Sequence, residues 1–265
     1  MTDPWAPGLT AAGATRPHAP RRPPKPISTP QLLGAPAPVR ATALPNIACG
    51  GGGGRSRLAG MADMRMFRDE VTRRAGGDSG GSARELAERL GVHTVVLLEG
   101  LSDLAAVEAL ATMRGRDLAA EGVCVLSMGG AMSVGRYTAL LGPSGLGLRL
   151  VGLCDEREQP FFDRSLAPAS TPRHAVFVCS ADLEDELIRA LGPQRVEQIV
   201  HTEDESRPWQ TFLQQPAQHG RPRHQQLRRF MSTRKGRKIR YGRLLVEALA
   251  PEEVPAPLDD LLAHL

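Results

Sequence analysis

Apolar residues in this chain gather into short β-branched runs, each followed by a stretch with helical spacing. The runs His93–Leu98, Gly122–Leu126, Leu148–Leu153 and His174–Cys179 are short and apolar. That pattern predicts strands buried on both faces. Between them, helical spacing predicts helices over 103–113, 133–141 and 181–191, with Ser102 and Ser180 as caps. Two further helices are predicted over 62–74 and 83–90, the second opening on a Ser82…Glu85 capping box. Strands alternating with helices at this interval predict βαβ units. The fold class is therefore α/β, a small Rossmann-like parallel sheet. Residues 192–265 read as a helical, basic C-terminal extension, 61–91 as a helical lead-in and 92–191 as the sheet domain.

Residues 1–60 lack either period and are rich in Pro, Gly and Ala. They read as a disordered tail, and the run Gly50–Gly54 is expected outside any helix or strand interior. That glycine run has no P-loop lysine and no preceding strand, so it does not cradle a nucleotide. The tail holds seven Arg or Lys against one acid, while the chain's net charge is +4. The remainder is thus slightly acidic, and the high pI describes mainly the tail. No 18-residue apolar run exists, so no membrane span is expected. Cys124, Cys154 and Cys179 lie in or beside apolar runs without C-x-x-C spacing. Buried reduced thiols in a cytoplasmic protein are expected, and no structural zinc.

The chemistry collects where strands end. In an open parallel sheet, ligands bind outside the carboxyl ends of the strands. The first run leads into Glu99-Gly100, with Asp103 shortly after. The second leads to Gly129-Gly130, and the third to Asp155-Glu156 with Glu158 beyond. Carboxylates from different strands facing one crevice repel unless a proton or cation intervenes. Oxygen ligands without His or Cys select a hard cation, Mg²⁺ or Mn²⁺. Glycines at 100, 129 and 130 let backbone approach a large anion. The plain alternative for Asp103 is a first-turn residue that caps its helix.

Glu99-Gly-Leu-Ser-Asp103, then Met128-Gly-Gly130, then Cys154-Asp-Glu156 resembles the TOPRIM domain of topoisomerases, bacterial primases and OLD-family nucleases. The resemblance covers roughly residues 92–191, and the helix containing Leu183–Leu187 looks most like the OLD branch. It implies metal-dependent DNA cleavage, with Glu99, Asp103 and Asp155 as ligands or acid–base groups. Glu156 and Glu184 join Glu99 and Asp155 as candidate metal ligands. In one respect the chain departs from the family. TOPRIM domains usually carry Asp-x-Asp after the third strand, and here the second position is Arg157. Either fewer metals bind or the site is impaired, with Glu156 or Glu158 as substitutes. No Walker A motif occurs, so any ATP dependence would need an ATPase partner chain.

From Arg207 to Arg243 there is no acid and there are eleven Arg or Lys. Trp209, Phe212, Phe230 and Tyr241 are interleaved. Such a stretch attracts a phosphate backbone, through Arg228, Arg229, Lys235, Arg237 and Arg240. The alternative is a set of solvated or acid-paired charges. Lysines are scarce, at 25, 235 and 238 alone. OLD-type nucleases use a lysine beyond the TOPRIM core, so the resemblance nominates Lys238, with Lys235 as fallback. The leading expectation is a metal-dependent DNA endonuclease. Nucleotidyl transfer and a non-catalytic nucleic-acid-binding module are the alternatives.

Overall fold

Side chains on successive residues of each central strand enter two different cores, which fixes the layers. Val96 and Leu98 face one cluster, Val95 and Leu97 the other. A sheet buried on both faces needs helices on both sides. The computed structural model describes residues 53–78, 81–166 and 175–265. In chain order the elements are α1 (Gly53–Ala75), α2 (Ala83–Leu90), β1 (Thr94–Leu98), α3 (Leu101–Met113), β2 (Val123–Ser127), α4 (Val134–Leu141), β3 (Arg149–Asp155), α5 (Gln159–Leu166), β4 (Ala175–Cys179) and α6 (Leu183–Leu191). Then follow α7 (Pro193–Thr202), α8 (Ser206–Leu213), α9 (Arg223–Ser232), α10 (Lys235–Glu247) and α11 (Ala256–His264).

The four strands are parallel in the order β2-β1-β3-β4. The chain is thus an α/β protein with a Rossmann-like sheet. Helices α1, α2, α4 and α5 supply the core on one face. The opposite face is covered by α3 and by α6 through α11, so the C-terminal helices share the main core. Trp209 stacks on Phe212, and both meet Phe230 edge to face. Trp209, Phe230 and Tyr241 are at most 1% exposed. These aromatics serve packing, and base stacking is closed to them. No described helix is long and apolar enough to cross a membrane.

Several sequence expectations shift. Helix α1 starts at Gly53, so the irregular tail stops short of residue 60 and two glycines of the Gly50–Gly54 run enter a helix. The expected disorder of residues 1–52 lies outside the described residues. Ser82 precedes α2, but its hydroxyl makes no capping bond. Gly100, not Ser102, is the N-cap of α3, and Asp182, not Ser180, caps α6. Helix α5 was hidden by its brevity and by Pro160, which is tolerated in a first helical turn. Cys124, Cys154 and Cys179 are buried free thiols.

Candidate metal centre

The strand order reverses between β1 and β3, which opens a crevice beyond their carboxyl ends. Leu98 pairs with Leu153, so Glu99 and the end of β3 emerge side by side. Glu99 Oε1 accepts the Asp155 N–H at 2.9 Å. After β2, Gly129 and Gly130 adopt φ of 73° and 131°, which side chains with a Cβ rarely tolerate. That turn brings the Gly130 N–H to the Glu99 carbonyl at 2.9 Å. Glu99 is therefore held by both neighbouring strand ends.

Asp103 sits in the first turn of α3, where Oδ2 accepts the Gly100 N–H at 2.8 Å. The capping role foreseen as the plain alternative is real. Asp103 also feels Glu99 and Lys238, so it belongs to the crevice as well. Beyond β4, Ala181 turns the chain with φ of 72°. Asp182 then accepts the Asp185 N–H at 2.8 Å and starts α6. Next on that helix, Glu184 is 2% exposed.

Lys238 reaches this group from α10, with Nζ 3.2 Å from Glu184 Oε1. A glycine explains its position. A Cβ on Gly242 would stand 2.5 Å from the Ser102 carbonyl oxygen, so α10 crosses the start of α3 at backbone contact. Lys238 lies one helical turn earlier on the same face.

Electrostatics identify the crowd. Burial, then Glu99, Asp182, Asp103 and Glu184, push the Asp155 carboxyl up to about 8. Burial pushes Asp103 up to about 6, against the Gly100 N–H and Lys238. Burial likewise raises Glu99 and Glu184. The Asp155 N–H and Lys238 oppose the rise at Glu99, whereas Glu158 adds to it. Burial works against the Lys238 charge, but Glu184 and Asp103 more than offset it. Acids so confined gain most from a divalent cation. The thiol of Cys154 is pushed up to about 12 by burial and neighbouring acids, so it stays protonated beside this oxygen donor set. The residues fit a hard cation.

The donors are not arranged as a finished cage. Among the described residues, no three His, Cys, Asp or Glu side chains are set to hold a metal outright. The physical reason is visible: Glu99 and Asp103 accept backbone N–H bonds, and Glu184 is paired with Lys238. Arg228 Nε donates to Asp182 Oδ2 at 2.6 Å. A cation would have to compete with these partners.

Of the sequence candidates, Glu99, Asp103, Asp155, Glu184 and Lys238 come together. Glu156 does not join them, being exposed on the turn after β3. Its neighbour Glu158 is half-buried and acts on Glu99 instead. Sequence reasoning missed Asp182, whose signal was an Asp before a helix with three acids in its first turn. The basic segment divides. Arg237 is 6% exposed, donating to Glu205 at 2.6 Å and lying 4.0 Å from the Phe230 ring centroid, so it leaves the phosphate-facing group. Arg240 pairs with Glu203 and Arg228 with Asp182, so a phosphate would have to compete with a carboxylate for each. Arg229 and Lys235 are exposed, as is Arg234 between them.

The α/β sheet carries its carboxylates at the switch point, where ligands of such sheets bind. Residues 90–156 match the model of the Overcoming lysogenization defect protein-like TOPRIM domain, and this chain carries such a domain there. TOPRIM domains generally bind divalent metal ions. The matched stretch includes Glu99, Asp103 and Asp155 and ends before Glu184 and Lys238. Among solved structures, the C-terminal region of the Burkholderia pseudomallei OLD protein is similar. It is 21% identical, covering 65% of this chain and 96% of that one, with a TM-score of 0.49. The C-terminal region of the Xanthomonas campestris pv. campestris OLD protein is 26% identical, covering 67% and 93%, with a TM-score of 0.49. No curated protein sequence matches.

Proposed function

We propose that this chain is a metal-dependent nuclease that cleaves DNA phosphodiesters. The observation that carries the reading is the pairing of Glu99 with Asp155 at the β1–β3 switch point, crowded by further acids. Glu99 and Asp155, with Asp103 and Glu184, would hold Mg²⁺ or Mn²⁺. Such a cation, when bound, supplies an activated water and neutralises charge on the phosphate. Lys238 stands beside the acids, where an ammonium stabilises negative charge developing on a phosphoryl oxygen. Arg229, Arg234 and Lys235, exposed around the junction of α9 and α10, attract the phosphate backbone. An ATPase partner chain is part of this reading only if cleavage needs ATP.

Incubation with supercoiled plasmid in Mg²⁺, Mn²⁺ or EDTA tests it. Nicking with metal, none in EDTA, and none by Glu99→Gln or Asp155→Asn is the expected result. If wild type binds DNA but leaves it intact in both metals, a non-catalytic binding module replaces the nuclease. Incorporation of nucleoside triphosphates would instead indicate nucleotidyl transfer.

A further inference from the structure

A polyanion entering a crevice lined by acids must meet positive charge on the way, and most cations near this crevice are engaged. Lys238 is held by Glu184, Arg228 by Asp182, and Arg189 by Asp185 and Glu186. Arg157 differs. It is exposed and makes no ion pair or side-chain hydrogen bond with a described residue. Its place is also fixed. The Glu158 N–H donates to the Asp155 carbonyl at 2.9 Å, closing a tight turn with Glu156 and Arg157 at its centre. The Glu156 N–H donates to the Cys179 carbonyl at 2.9 Å, which ties that turn to β4. Within the turn Glu156 and Arg157 are both in solvent, whereas Glu158 is half-buried and acts on Glu99.

We infer that Arg157 is a substrate-positioning residue that grips a backbone phosphate of the nucleic acid beside Asp155. This rests on the nuclease reading and deepens it. The guanidinium keeps its charge at any working pH and presents a planar fork that matches phosphate oxygens in pairs. Two backbone hydrogen bonds anchor the turn that carries it, so the grip holds the strand in register with the carboxylates. A cation in this place cannot be a metal ligand, and phosphate binding gives it a different task.

Binding of fluorescent duplex and single-stranded oligonucleotides to the full chain tests this. Anisotropy is followed across a salt series, in Ca²⁺, which fills oxygen-lined sites, and again in EDTA. Arg157→Gln should weaken binding about tenfold and reduce the log–log salt slope by about 0.9 on duplex, or about 0.7 on single strands. Arg157→Glu should weaken it further, and Arg157→Lys should keep the slope while losing part of the affinity. The melting temperature should stay that of wild type in all three, because the side chain has no partner among the described residues. Wild-type affinity and slope in Arg157→Gln would overturn the inference and leave a solvated charge. If wild type itself binds no nucleic acid, the nuclease reading fails first, and the two failures are thereby told apart.

Discussion

Lys238 and Glu184 meet with Nζ 3.2 Å from Oε1, the lysine side chain 40% exposed and the glutamate side chain 3% exposed. The pair gives a buried carboxylate its counter-charge in the metal-free protein. Lys238→Met removes that charge and should cost about 1–2 kcal/mol, below a fully buried pair because the lysine partly faces water. The double variant Lys238→Met, Glu184→Gln should recover most of the loss. Urea denaturation of the four proteins in EDTA measures the coupling. A single-variant loss that the double variant does not recover would show that Glu184 has another partner.

Gly242 makes the second prediction. Its substitution by Ala places a Cβ 2.5 Å from the Ser102 carbonyl oxygen, so α10 must shift away from α3. Overpacking of this kind costs about 1–3 kcal/mol. Because Lys238 rides on the same face, turnover should fall more than DNA affinity. Gly236→Ala is the control, since nothing lies within 4 Å of its added Cβ. It should leave turnover alone and stabilise α10 by about 0.5–1 kcal/mol. Equal effects of the two substitutions on turnover would remove the positioning role of the helix crossing.

How much of this was legible follows from what each signal measures. Strands β1 to β4 were readable because a continuous β-branched run has few other uses. Glu99 and Asp155 were readable as neighbours because both end a strand in a parallel sheet, and register does the rest. The Lys238–Glu184 pairing depends on how α10 crosses α3, which no local period encodes. Arg237 was read as a surface charge since sequence cannot show Glu205, Thr233 and the Phe230 ring closing around it. The interleaved aromatics misled for the same reason. An amphipathic helix that is basic outside and aromatic inside resembles a nucleic-acid binder until its core is seen.

The basic segment should therefore split by experiment. Arg229→Ala, Arg234→Ala and Lys235→Ala together should flatten the salt dependence of DNA binding, by about 0.9 in log–log slope for each phosphate left without its cation. Arg237→Ala should instead lower the melting temperature, because it strips the Glu205 carboxylate of its partner and uncovers Phe230. An Arg237→Ala protein with wild-type stability and a flattened slope would reverse this assignment.

Carboxylate crowding makes the apo site a weak point of the fold. Asp155 is pushed up to about 8 by burial and by four other acids, so at neutral pH the folded chain must take up a proton there that the unfolded chain has released, and this opposes folding. Asp155→Asn should raise the melting temperature in EDTA by about 2–4 °C, the response to roughly 1 kcal/mol in a domain of this size. A variant that loses function while gaining stability marks a site built for a ligand. Unchanged or lower stability in EDTA would mean that the crowding is relieved by other means.

Calorimetric titration of Mn²⁺ into the full chain, without nucleic acid, asks whether the carboxylates at the β1–β3 switch point hold a divalent cation. Saturable binding to wild type should weaken by about a hundredfold or more in Glu99→Gln and in Asp155→Asn, beyond the roughly 10–100-fold cost of losing a support that only orients a ligand. Glu156→Gln, on the exposed turn, should bind as wild type does. No saturable binding by wild type, or full binding by both Glu99→Gln and Asp155→Asn, would contradict the proposed metal centre.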